Sequence, residues 1–82
     1  MIRSVRVTHD AEADAAYLYL VDEIARGEVA DSQVADIPLD RAALTVDFDA
    51  DGRVLGIEVL GASRVLRPET LQAAEDITQR RH

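Results

Sequence analysis

The stretch LTVDFDADGRVLGIEVL, Leu44 to Leu60, decides how the chain folds. Leu44, Val46 and Phe48 alternate with Thr45, Asp47 and Asp49, and Leu55, Ile57 and Val59 alternate with Val54, Gly56 and Glu58. A period of two in residues this apolar and β-branched is the signature of half-buried strands. Asp51-Gly52 between the two runs suits a two-residue type I′ turn, whose central residues need positive φ. A turn placed there pairs Phe48 with Leu55, Val46 with Ile57 and Leu44 with Val59, so that apolar meets apolar across the ladder. A slip of one residue would send every one of these side chains to the opposite face.

The same stretch satisfies the EF-hand calcium-loop pattern, with Asp47, Asp49 and Asp51 at positions one, three and five, Gly52 at six and Glu58 at twelve. An EF-hand needs a helix on each side, and both flanks here read as strands. In the hairpin, Glu58 lies opposite Thr45 and cannot fold back as the twelfth ligand. The favoured reading makes Asp49 and Asp51 turn residues, Asp47 a solvated or edge-protecting charge, and Glu58 an outer-face residue. Weak calcium contact at Asp47, Asp49 and Asp51 is the minor alternative.

Outward from the hairpin, Ala15 to Val21 (AAYLYLV) is the most strand-like run. Leu18 and Leu20 point one way, while Tyr17, Tyr19 and Val21 point the other. With both faces apolar, this strand belongs in the middle of a sheet. Met1 to Thr8 reads as a short strand and His9 to Asp14 as an acidic loop. Asp22 to Glu28 reads as a turn, and Val29 to Ile37 as a weaker strand stopped by Pro38. Pro68 suits the first position of a helix, with Glu69 in its first turn, Arg80 and Arg81 in its last, and Leu71, Ala74 and Ile77 on one stripe. The predicted fold is α+β: an antiparallel β-meander of four to five strands with a C-terminal helix packed on one face. Residues 1–82 are expected to form a single domain, since no linker, repeat or low-complexity tract divides them.

Composition narrows the function. The 82 residues carry nine Lys+Arg, all of them Arg, against 16 Asp+Glu, for a net charge of −7. That balance disfavours nucleic acid and allows a basic protein partner. No apolar run is long enough for a membrane helix and no leader-like segment opens the chain, so no membrane partner and a cytoplasmic location are expected. The absence of Cys removes disulfides, thiolate nucleophiles and Cys-ligated zinc. Ser4, Ser32 and Ser63 stand in no nucleophile elbow, and no phosphate-cradling glycine loop is present. Gly56, inside a strand, points to close packing against Asp47 or a neighbour. No cofactor and no catalytic residue is expected.

Asp10, Glu12 and Asp14 form a second acidic cluster. Such carboxylates can share a divalent ion or raise one another's pKa for base catalysis, with Glu58 or His9 assisting. More commonly, Asp10 or Asp14 orders the turn by accepting backbone N–H groups. The favoured function is a non-enzymatic, homodimeric structural or protein-interaction module. Tyr17, Tyr19, Val21, Val54 and Leu60 are the candidate interface, because they are apolar on the sheet face that one helix cannot cover. The alternative is a small metal-binding protein or metal-dependent enzyme using the acidic loop.

The pattern Asp10-x-Glu12-x-Asp14-x-x-Tyr17-Leu18-Tyr19-Leu20, followed by Asp49-x-Asp51-Gly52-Arg53-Val54-Leu55-Gly56-Ile57-Glu58-Val59-Leu60-x-Ala62-Ser63, resembles the YuzE-like family of small bacterial domains of unknown function. The resemblance covers nearly the whole chain and departs at His9, where an aromatic residue commonly stands. It implies a compact α+β domain of β-hairpins and carries over no catalytic or binding residues.

Overall fold

A computed structural model describes residues 5–35 and 42–78. Five strands run as β1 (Arg6–Asp10), β2 (Ala15–Tyr19), β3 (Asp31–Ala35), β4 (Ala43–Phe48) and β5 (Val54–Leu60). They are followed by helices α1 (Ala62–Val65) and α2 (Pro68–Ala73) and a last short strand, β6 (Glu75–Asp76). The six strands form one sheet in the order β3-β4-β5-β2-β1-β6. All pairs are antiparallel except β1 with β6, which is parallel.

The sheet is therefore mixed and larger than the expected meander of four to five strands. After the β1–β2 hairpin the chain crosses to the far edge, and β3, β4 and β5 return stepwise until β5 lies against β2, a Greek-key path. Composition explains the path. The two most apolar strands, β2 and β5, pair with each other in the interior, while the polar Asp31-Ser-Gln-Val-Ala35 is left at the edge.

The central hairpin has the expected register at Leu44↔Val59, Thr45↔Glu58 and Val46↔Ile57. Its turn differs. Gly52 N–H donates to Asp49 O at 3.0 Å, Asp49 N–H donates to Arg53 O at 2.8 Å, and Gly52 alone in the loop has positive φ, 79°. The loop is Ala50 to Gly52, a type I turn closed by a left-handed glycine rather than the expected type I′ pair. The Asp49 side chain favours the longer loop by accepting the N–H groups of Asp51 and Arg53, each at 2.9 Å. The extra residue is cancelled by a bulge: Phe48 pairs with Val54, not Leu55, while Asp47 pairs with Gly56.

The helices lie on the sheet face of Leu18, Leu44 and Ile57, where Ala62, Leu66 and Leu71 pack against Ala16 and Val59. The core is thin: among the described residues the buried hydrophobic side chains are Ala16, Leu55, Val59 and Ala62. The expected long C-terminal helix is a correction. α2 ends after six residues, with Ala74 extended at ψ 152°. The chain then runs along β1, where Ile77 N–H donates to His9 O at 2.9 Å and Thr78 Oγ1 accepts Ala11 N–H at 2.8 Å. The open edge of β1 supplies hydrogen bonds in place of a further helical turn. The Pro38 stop, the start of the first strand and the Arg80–Arg81 helix end fall outside the described residues.

Candidate functional site

The sheet face opposite the helices is set by register. Arg6 and Thr8 on β1 pair with Tyr19 and Tyr17 on β2, which pair with Gly56 and Glu58 on β5, which pair with Asp47 and Thr45 on β4. Cross-strand partners share a face, so these side chains project together on the side the helices leave open.

Tyr17 is the centre of this face. Its ring leans over Gly56, where a Cβ would meet Tyr17 Cε2 at 2.5 Å, and its hydroxyl donates to Asp47 Oδ2 at 2.6 Å. The other Asp47 oxygen accepts Ser32 Oγ at 2.6 Å. One carboxylate thus ties β2, across the gap left by glycine on β5, to β4 and β3. On the other flank the Tyr19 ring meets Tyr17 edge-on at 4.7 Å, and the Arg6 guanidinium lies 4.7 Å from the Tyr19 ring centre. Arg6 also pairs with Glu75 at 3.5 Å. Asp47 is accordingly the hub of a hydrogen-bond network. The clue in the sequence is a glycine opposite an Asp on one face of a strand pair, with a Tyr one strand away.

Burial, and after it the hydrogen bond to Asp47 and that residue's charge, push the Tyr17 phenol above the ordinary tyrosine range; Tyr19 and Glu58 add to the effect. A folded-state pKa raised above the unfolded value of 10.0 means that this group's stabilisation is complete below pH 10 and is lost as pH climbs beyond it. In a Tyr19→Phe variant Tyr17 is the only tyrosine, and its phenolate absorbance is expected to rise well above pH 10. Adding Asp47→Asn is expected to bring the midpoint down. A Tyr17 held protonated and hydrogen-bonded is a poor nucleophile or base near neutral pH.

The acidic loop is engaged in holding the backbone. Asp10 is buried, and its Oδ1 accepts the N–H groups of Glu12 at 3.0 Å and Ala13 at 3.2 Å. Asp14 stands at φ 52°. Its carbonyl accepts the N–H groups of Gly61 and Ala62, each at 2.9 Å. Its carboxylate accepts Ser63 N–H at 3.0 Å and Ser63 Oγ at 2.7 Å, and lies 3.3 Å from His9 Nε2. The Ser63 hydroxyl, and with lesser effect the Ser63 amide and His9, outweigh burial and hold the Asp14 carboxyl below the usual range. Glu12 is exposed. Asp14 is therefore the cap of α1 supplied from across the fold, a role that spacing alone does not show.

Among the described residues no group of three or more His, Asp or Glu side chains is gathered so as to hold a metal ion. Asp47 and Asp49 have separate tasks, Asp47 serving Tyr17 and Ser32 and Asp49 serving the turn, while Asp51 is exposed. A depression of about 280 Å³ lies beside Tyr17, lined also by Thr8, Asp10, Glu58, Leu60 and Ile77. Tyr19 is not among its lining residues.

Of the candidate interface residues, the ladder brings Tyr17, Tyr19 and Leu60 to the open face. Leu60 is 43% exposed. Val54 is taken off that face by the bulge, since it pairs with Phe48. Val21 lies half-buried past the end of β2. Among the described residues no helix is long and apolar enough to cross a membrane.

No curated protein and no solved structure matches the chain. A family model described as a protein of unknown function, DUF2283, matches residues 6–63, the segment from β1 through the first turn of α1 that holds the tyrosine network and the Asp14 cap. With more than half its length matched, the chain belongs to the DUF2283 family of uncharacterised small domains.

Proposed function

We propose that the domain is a non-enzymatic interaction module that associates with a second copy of itself through the helix-free face of its sheet. The observation that supports this reading is the pinned Tyr17–Asp47–Ser32 network beside exposed Leu60, over a core with only four buried hydrophobic side chains among the described residues. Tyr17, already fixed by its hydrogen bond, loses little rotamer freedom on binding, and a tyrosine offers large contact area with a polar end. Of the carboxylates that a hydrolytic or metal mechanism would draw on, Asp10, Asp14 and Asp47 are engaged in the turn, the cap and the network. A net charge of −7 also suits a basic protein partner. We read the family as the one the YuzE-like motifs resemble, and the setting as a bacterial cytoplasm.

Mass in solution tests the proposal. Sedimentation equilibrium is expected to show a concentration-dependent dimer, and Leu60→Asp is expected to weaken it about tenfold or more by burying an unpaired charge. A strict monomer at high micromolar concentration overturns the reading.

A further inference from the structure

The two edges of the sheet are not alike. β6 lies along the outer side of β1, whereas no strand among the described residues lies outside β3. Phe48 O accepts Ala30 N–H at 2.8 Å, so the Phe48 main chain faces β3. The β3–β4 register runs without a shift, so Val46 faces β3 as well, opposite Gln33. Alternation then turns the N–H and C=O groups of Ser32 and Val34 outward. Asp31 to Val34 are all exposed, Val34 to 71%. Natural edges are guarded by Lys, Pro, bulges or inward charges. From Asp31 to Ala35 the only such guard is Asp31, at one end, whose Oδ1 accepts the outward Ser32 N–H at 2.9 Å and whose Oδ2 accepts Gln33 Nε2 at 2.9 Å.

We propose that the β3 edge pairs antiparallel with β3 of a second copy, about a two-fold axis at Gln33. In that register Ser32 meets the partner's Val34 and Asp31 meets the partner's Ala35, with about four main-chain hydrogen bonds exchanged at the Ser32 and Val34 positions once each Ser32 N–H turns from its Asp31 carboxylate to the partner's Val34 carbonyl. The two Asp31 carboxylates sit at opposite ends of the paired strands, whereas a parallel in-register pairing sets them side by side. The edge is thus its own complement in hydrogen bonding, and the antiparallel register keeps the like charges of the two Asp31 side chains apart. This contact is separate from the tyrosine face and does not depend on it. Because each copy carries −7, added salt strengthens the pairing, while it weakens capture of a basic segment.

Val34→Pro removes one outward N–H without taking a bond from the β3–β4 ladder, and Val34→Thr keeps that donor. Sedimentation equilibrium is expected to show self-association weakened about tenfold or more in Val34→Pro and retained in Val34→Thr. In the unaltered protein, hydrogen exchange at the Val34 amide is expected to slow as concentration and salt rise, and this measurement decides the matter if Val34→Pro does not fold. A dimer lost in Leu60→Asp but intact in Val34→Pro, with a fast-exchanging Val34 amide in the unaltered protein, overturns this inference and leaves the face contact standing. The reverse pattern upholds the edge and removes the face contact. A monomer at every concentration and salt level overturns both.

Discussion

Gly56→Ala is expected to destabilise the domain by about 1–3 kcal/mol, although its backbone conformation accepts any residue. The added methyl falls 2.5 Å from Cε2 and 2.6 Å from the hydroxyl of Tyr17, so the ring must swing away. Once it does, Asp47 Oδ2 loses its donor, and the edge-on contact with Tyr19 opens. The side chain moves more easily than a backbone would, so the loss comes mainly from the broken network rather than from overlap. Thermal or urea unfolding measures the loss, and a double-mutant cycle assigns its origin. In a Tyr17→Ala background, Gly56→Ala is expected to cost little, because nothing then lies over the glycine. Equal cost in both backgrounds would show that the ring is not the reason for glycine.

Asp14→Ala is expected to cost about 2–3 kcal/mol, adding the loss of a helix cap to the strain of a Cβ residue in the left-handed region. Both effects meet at one residue, whose φ is 52° and whose carboxylate takes the amide and hydroxyl of Ser63. Asn tolerates this backbone and keeps an acceptor, so Asp14→Asn is expected to retain most of the stability. Acid separates the variants further. Because the folded state depresses the Asp14 pKa below 3.8, its contribution is complete above that value and is lost as pH falls through the lower folded value. Acid unfolding curves are therefore expected to be shallower in Asp14→Asn. An Asp14→Ala protein as stable as the unaltered one would remove Asp14 from its place as the cap of α1.

The hairpin register was legible because alternation over Leu44 to Leu60 permits one pairing that keeps apolar residues together. The turn was not, since a three-residue loop followed by a bulge returns the strands to the register that a two-residue loop would give. Phe48 and Val54 alone record the difference. The interior place of β2 followed from its two apolar faces. β6 and the short α2 did not, because Ala74 to Ile77 fits a helical stripe locally, and only the unpaired edge of β1 makes the extended form better. At the site, the tyrosine face and the fit of Gly56 against a neighbour were readable from strand periodicity. The roles of Asp47 and Asp14 were not, because each depends on Ser32 or Ser63, brought near by strands distant in sequence.

The clasp formed by Glu75 and Asp76 sets a limit on assembly. It lies beyond the matched residues 6–63, yet it occupies the one flank of the sheet that β1 would otherwise present to solvent. A sheet closed on one flank and open on the other can be extended along its hydrogen-bonding direction only once, so edge pairing by itself ends at a pair of sheets rather than a cross-β fibril. Cutting the chain after Ala74 would free the second flank and open a route to fibrous polymers.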